Sequence, residues 1–147
     1  MFAGAHHSTV DDKGRIAIPA RFRAQLVDTY GLQIVITMGP RASLEIYPVA
    51  VFNSIAEQIQ NLEDREAAEL LKLAFVGRAV ETEIDKQGRV MLPQFLRKQA
   101  RLETGAVLVG QINRLELFAE EIWDTMFGTG PESVLPALSA AFKHLKR

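Results

Sequence analysis

Val10-Asp11-Asp12-Lys13-Gly14-Arg15-Ile16-Ala17-Ile18-Pro19 returns 74 residues later as Ile84-Asp85-Lys86-Gln87-Gly88-Arg89-Val90-Met91-Leu92-Pro93. The register continues past the proline, matching Arg23 with Arg97, Gln25 with Gln99 and Gly31 with Gly105. A three-residue length difference then shifts the offset to 71. At that offset Leu44-Glu45-Ile46-Tyr47 matches Leu115-Glu116-Leu117-Phe118, and Val51-Phe52 matches Ile122-Trp123. Agreement of residue type and spacing over about 45 residues makes the chain a tandem duplication.

Each copy reads alike. An apolar run enters Asp-x-x-Gly-Arg and an alternating run leaves it, which predicts strand, tight turn, strand. Gly14 and Gly88 fall where a left-handed backbone is inexpensive only for glycine. Pro19 and Pro93 suit the start of a short helix. Phe22 with Leu26, and Leu96 with Ala100, supply its apolar stripe. Gly31 and Gly105 are expected to end these helices. Two further strands follow, Leu32–Met38 and Ser43–Tyr47 in the first copy, Val107–Ile112 and Leu115–Phe118 in the second. The expected fold class is α+β: two β-β-α-β-β modules pairing into one closed core, because four short strands alone are marginal.

Residues 5–52 and 81–124 form the two modules, 53–78 a helical insert and 128–147 a helical tail. In the insert, Ser54 and Glu57 have capping-box spacing ahead of Ile55, Ile59 and Leu62. A second helix there carries Ala67, Leu70, Leu71 and Ala74, ending near Gly77. Beyond the Gly128-Thr129-Gly130-Pro131 break, Leu138, Phe142 and Leu145 predict a last helix with Lys143, Lys146 and Arg147 at its negative end.

The 147 residues are 48% apolar and 24% charged, enough for a substantial core. No run has the length of a membrane span, and the N-terminus lacks the layout of a secretory signal. Without cysteine, disulfides, thiolate catalysis and Cys-ligated zinc are excluded. A cytoplasmic location is the expectation. The net charge of −1 argues mildly against nucleic acid, but its distribution is uneven. Glu57, Glu63, Asp64, Glu66 and Glu69 crowd the insert. Residues 10–23 carry four basic and two acidic side chains, and residues 84–101 carry five and one.

Asp11 with Arg15, and Asp85 with Arg89, can meet across their turns in a charge-assisted hydrogen bond. Locking the turn is one role for the pair. The second is contact: an arginine held at a ribbon tip can meet phosphate, or O6 and N7 of guanine in the major groove. The candidate DNA-contacting residues are Lys13, Arg15, Arg21, Arg23, Lys86 and Arg89, and the turn-stabilising ones are Asp11, Gly14, Asp85 and Gly88. Arg97, Lys98 and Arg101 lie on the second short helix and are individually expected on a solvated face. Together with Arg21 and Arg23 they can extend a phosphate-contacting strip. Asp12 and Lys13 stand where the second copy has Lys86 and Gln87, so the tips are not equivalent, and the first is favoured as the reader.

Other chemistry finds little support. His6 and His7 are adjacent with no further metal-ligand spacing, so no metal is expected. Ser8, Thr9 and Ser43 have no evident His/Asp partners, and Gly14 and Gly88 stand outside any nucleotide-binding fingerprint. No enzyme, cofactor or small-molecule substrate is expected. Buried carboxylates or histidines around a cavity would reopen that question. Tyr47, Phe52, Phe75, Phe118 and Trp123 are read as core.

The residues quoted resemble the MraZ family. The resemblance rests on Met1-Phe2 with Gly4, Asp11-x-Lys13-Gly14-Arg15 and Ile18-Pro19-x-Arg21-Phe22-Arg23. It continues in Asp85-x-x-Gly88-Arg89-x-x-Leu92-Pro93 and Leu108-Val109-Gly110-Gln111-x-Asn113-x-x-Glu116-Leu117. Each copy is similar to the swapped-hairpin module of AbrB and SpoVT-type DNA binders. The resemblance implies one pseudo-two-fold, barrel-like core with peripheral helices. It also implies binding to repeated double-stranded DNA boxes upstream of a division and cell-wall gene cluster that includes the protein's own gene, with repression. It further implies a ring-shaped homo-oligomer and association with the nucleoid. The alternative is a structural or protein-interaction ring module in which Asp-x-x-x-Arg only pins turns.

Overall fold

The computed structural model describes residues 1–147. The first copy contributes β1 (Phe2–Thr9), β2 (Arg15–Ala17), α1 (Ala20–Tyr30), β3 (Gln33–Met38) and β4 (Leu44–Pro48). The insert holds α2 (Val49–Gln60) and α3 (Arg65–Leu71), which runs on into a π-helical turn at Lys72–Val76. The second copy contributes β5 (Val80–Glu83), β6 (Arg89–Met91), α4 (Gln94–Gln99), β7 (Gly105–Ile112), β8 (Leu115–Ala119) and α5 (Glu120–Met126), and α6 (Leu135–Phe142) follows.

The molecule is α+β, with an antiparallel six-stranded sheet in the order β1-β7-β8-β4-β3-β5 and a separate two-stranded ribbon, β2-β6. The predicted strand–turn–strand is present, but its strands do not pair with each other. β1 of the first copy pairs with β7 of the second, and β5 of the second pairs with β3 of the first. The ribbon likewise takes one strand from each copy. Ile16 opposes Val90 and Glu45 opposes Glu116. Both pairs join repeat-equivalent positions, so an approximate two-fold axis passes through the ribbon and the middle of the sheet. No ladder joins the end strands β1 and β5.

The exchange follows from what each copy can bury. Ile16, Ile18, Phe22 and Leu26 from one copy and Val90, Leu92, Leu96 and Ala100 from the other are all within 2% of complete burial, in one shared cluster. Strands β4 and β8 are buried at every position, so both of their faces are covered. A second cluster of Val35, Tyr47 and Phe52, backed by Phe75, seats the insert on the other face of the sheet.

Four local readings are corrected. Helix α2 begins at Val49, directly after Pro48, so Ser54 lies within the helix rather than capping it. The cap in this insert is Asp64, which accepts from the Ala67 amide at 3.0 Å and opens α3. Helix α4 stops at Gln99, and Gly105 opens β7 instead of closing the helix, while Gly31 does close α1 at φ 95°. Helix α6 ends at Phe142, so Leu145 lies beyond it. Phe75 and Trp123 are half-buried, whereas Tyr47, Phe52 and Phe118 are core. No helix is long and apolar enough to cross a membrane.

Candidate functional site

The Asp-x-x-x-Arg segments fold as two nearly identical turns. Asp11 Oδ1 accepts from the amides of Lys13 at 3.0 Å and Arg15 at 2.8 Å, and Oδ2 accepts from Arg15 Nε at 2.9 Å. In the second copy Asp85 Oδ1 accepts from Gln87 and Arg89, each at 2.9 Å, and Oδ2 accepts from Arg89 Nε at 3.2 Å. These donors stabilise the ionised carboxylates. The Arg15 amide leads in lowering Asp11 below the ordinary aspartate value, and the Arg89 amide leads for Asp85. A three-residue step then returns the chain, with Gly14 and Gly88 donating to the Asp11 and Asp85 carbonyls at 3.0 Å each. Both glycines have positive φ, 82° and 78°.

The ribbon brings the two turns together. Arg15 opposes Met91 and Arg89 opposes Ala17. Strand geometry puts the two arginine Cα atoms about 8 Å apart. Ile16 and Val90 point into the core, so Arg15, Ala17, Arg89 and Met91 share the outer face. The carboxylates engage Arg15 and Arg89 at Nε. The terminal amino groups of Arg15 make no hydrogen bond within the chain, and Arg89 makes one long contact of 3.4 Å to Gln87 Oε1. Lys13 and Lys86 are exposed on the turns. Four cations therefore gather on the ribbon and its two turns, opposed by the engaged Asp11 and Asp85 and by Asp12.

The helix arginines behave differently. Arg21 reaches back to β1, donating from Nη2 to the Ala3 carbonyl at 2.7 Å and meeting His6 Nε2 at 3.0 Å, with its guanidinium 5.0 Å from the Phe22 ring centre. Arg23 lies against Gly88 of the other copy, and its Nε is buried without a partner. Arg97 lies against Gly14. Lys98 is exposed on α4, and Arg101 is exposed with φ 56° just beyond it.

A second polar cluster, not foreseen from the sequence, occupies the centre of the sheet. Glu45 and Glu116, 4% and 0% exposed, face each other across β4 and β8. Arg114 donates from Nε to Glu45 at 2.7 Å, and the Tyr47 hydroxyl donates to the same carboxylate at 2.9 Å. Glu116 accepts from Ser43 Oγ, from Gln111 Nε2 at 2.7 Å and from Arg41 Nη1 at 3.3 Å. Ser43 occupies the repeat position of Arg114, so the copies neutralise equivalent glutamates by different means. Burial, followed by the neighbouring Glu45 charge, pushes the Tyr47 hydroxyl far above its ordinary value, keeping it a donor. The signal was present: a glutamate at the same place in two otherwise apolar strands, Leu44–Tyr47 and Leu115–Phe118.

Beside this cluster lies an open cavity of about 680 Å³, walled by apolar side chains of α2 and α3 and floored by Glu45, Tyr47 and Arg114. The one carboxylate it reaches, Glu45, is already paired and hydrogen-bonded, so the cluster has the features of a structural network rather than of a free acid and base.

Comparison with known proteins matches the chain to the family described as "MraZ protein, putative antitoxin-like", over residues 1–73 and 75–137. The chain is 39% identical over 138 residues to the transcriptional regulator MraZ of Alcanivorax borkumensis, covering 92% of this chain and 94% of that protein. It is 40% identical over 126 residues to the same-named protein of Neisseria meningitidis, covering 84% and 83%. With that of Shewanella violacea it shares 40% over 136 residues, covering 91% and 90%.

Proposed function

The chain belongs to the MraZ family, and from that premise we propose that this transcriptional regulator binds double-stranded DNA sequence-specifically through the outer face of the β2-β6 ribbon. The observation that carries the proposal is the convergence of Arg15 and Arg89, with Lys13 and Lys86, on one exposed two-stranded surface. A ribbon fits the major groove, and a guanidinium held by its Nε keeps its terminal amino groups for a base edge or phosphate. In this reading Asp11, Gly14, Asp85 and Gly88 set the turns, and Lys13 makes the first turn the stronger reader. Arg21, hydrogen-bonded to β1, and Arg23, packed against Gly88, contribute less than their charge suggests.

The finer reading follows the resemblance: repression of a division and cell-wall gene cluster through repeated promoter boxes, in a cytoplasmic, nucleoid-associated protein. The swapped strands and common axis support an AbrB-type core formed by modules 5–52 and 81–124, with 53–78 and 128–147 as additions. A ring-shaped homo-oligomer would place several ribbons along one duplex, offsetting the chain's slight negative charge by multivalency. Leu70 and Leu73 are 64% and 74% exposed on the insert, and Leu135, Leu138 and Phe142 are exposed on α6, which supports self-association. The engaged state of Glu45 and Glu116 supports a protein without enzymatic activity.

Fluorescence anisotropy on a promoter fragment and on a scrambled duplex, across salt concentrations, tests the central claim. Expected are preference for the promoter, affinity falling with salt, and a loss of about 5- to 150-fold for R15A, the range of a lost bidentate base contact. Equal binding to both duplexes would instead favour the interaction-module reading. An unchanged affinity in folded R15A would remove Arg15 as a reader.

A further inference from the structure

Each turn is supported from the other copy. The Cζ, Nε and Nη2 atoms of Arg97, on α4, lie 2.7–2.8 Å from where a Cβ on Gly14 would stand. Its Nε donates to the Leu92 carbonyl at 3.0 Å, and the Leu92 amide donates to the Gly14 carbonyl at 2.8 Å. On the opposite side, Cδ and Cζ of Arg23, on α1, lie 2.7 Å from the Cβ position of Gly88, and the Ile18 amide donates to the Gly88 carbonyl at 2.9 Å. Arg23 and Arg97 are repeat equivalents, so the packing is used twice in opposite directions, with the Nε anchor present only at Arg97 and Arg23 Nε buried without a partner.

The geometry points to Arg23 and Arg97 as reciprocal positioning residues: the helix arginine of each copy presets the Asp-x-x-x-Arg turn of the other. Three observations support this. The glycines lack a side chain where the guanidinium packs. Their positive φ opens that face. Arg97 Nε is anchored on the same strand end that holds the Gly14 carbonyl. A planar guanidinium can cover a bare peptide face and donate in its own plane, whereas an ammonium cannot do both. The first turn, with Lys13 and Arg15, therefore depends on a residue 82 positions beyond Arg15. For DNA this inference rests on the ribbon reading above, while the crossed support is a property of the free protein.

Amide hydrogen exchange on R97K, R97M, R23K and R23M tests the support without DNA. In both Arg97 variants the amides of Lys13 and Arg15 should exchange roughly ten-fold faster, with Gln87 and Arg89 unchanged. That is the change typical of one lost hydrogen bond's worth of local stability, the Arg97 Nε bond to Leu92; the Arg23 variants should show the reverse pattern with a smaller change, since Arg23 supports its turn by packing alone. An effect on a variant's own copy, on both turns equally or on neither would overturn the proposal. DNA titration adds a second readout. A positioning role predicts that R97K loses affinity as R97M does, with the salt slope kept. A phosphate contact predicts near-native binding by R97K and a slope reduced by about one in R97M, and that result overturns positioning as the route by which Arg97 affects DNA. Crossed exchange effects in a protein that binds promoter and scrambled duplex equally, and whose R15A variant binds as wild type does, would sink the ribbon reading and leave the support standing. The lysine variants keep the charge and stem, which guards the experiment against a methionine variant that fails to fold.

Discussion

Asp11 and Asp85 each accept three hydrogen bonds from their own turn, and each is held in its ionised form. A carboxylate whose folded value is lowered contributes stability above its ordinary value of 3.8, and loses that contribution as the pH falls through the lowered one. The cost of D11N or D85N, compared with wild type by urea unfolding, should therefore be largest near pH 7 and shrink below about pH 4. A cost independent of pH would mean that neutral side-chain geometry, not charge, holds the turns. Asp, Gly and Arg were legible at this scale because a turn is local. The partners of Arg23 and Arg97 were not, since nothing in a linear spacing says that a helix arginine will cover a glycine in the other copy.

At the scale of elements, β4 and β8 carry the least expected chemistry. Alternation and apolar runs locate buried strands, but they do not reveal which strand lies alongside which. The pairing of Glu45 with Glu116 therefore became visible only in the sheet. Replacing Arg114 strips Glu45 of its cation while leaving the carboxylate 4% exposed. R114M should cost about 2–3 kcal/mol in chemical denaturation. That is somewhat below the ~3–5 kcal/mol of a fully buried broken pair, because a third of the Arg114 side chain meets water. A double R114M/E45Q variant should recover part of the loss, and failure to recover any would mean that Arg114 acts by packing alone. Helix α2 starts ahead of the Ser54 capping position for a related reason. Val49, Val51 and Phe52 continue the helix back to Pro48 by packing under the sheet, which outweighs the cap that Ser54 offers.

For the whole molecule, the duplication was legible and the exchange of strands was not. Two similar copies can fold side by side or through one another, and the choice rests on long-range pairing. Because β1 lies against β7 and β5 against β3, the first strand of each half finds its sheet neighbour only in the other half, and each half keeps by itself only its β3-β4 or β7-β8 pair. A fragment of residues 1–60 should therefore have no folded monomer: sedimentation and circular dichroism should find it unfolded or paired with a second copy of itself. A cooperative, monomeric transition would show that one copy is self-sufficient.

The same exchange sets a timetable for synthesis. Strand β1 leaves the ribosome about 100 residues ahead of its partner, which begins at Gly105. At about 5–20 residues per second, β1 waits roughly 5–20 seconds for β7. Throughout that interval it presents open backbone donors and acceptors to any other strand in reach. Pairings of such long sequence separation are also slow to form once both strands exist. The Gly4-Ala5-His6-His7-Ser8-Thr9 stretch is low in bulky apolar residues, which suits a strand that must stay unattached until the last part of its sheet arrives.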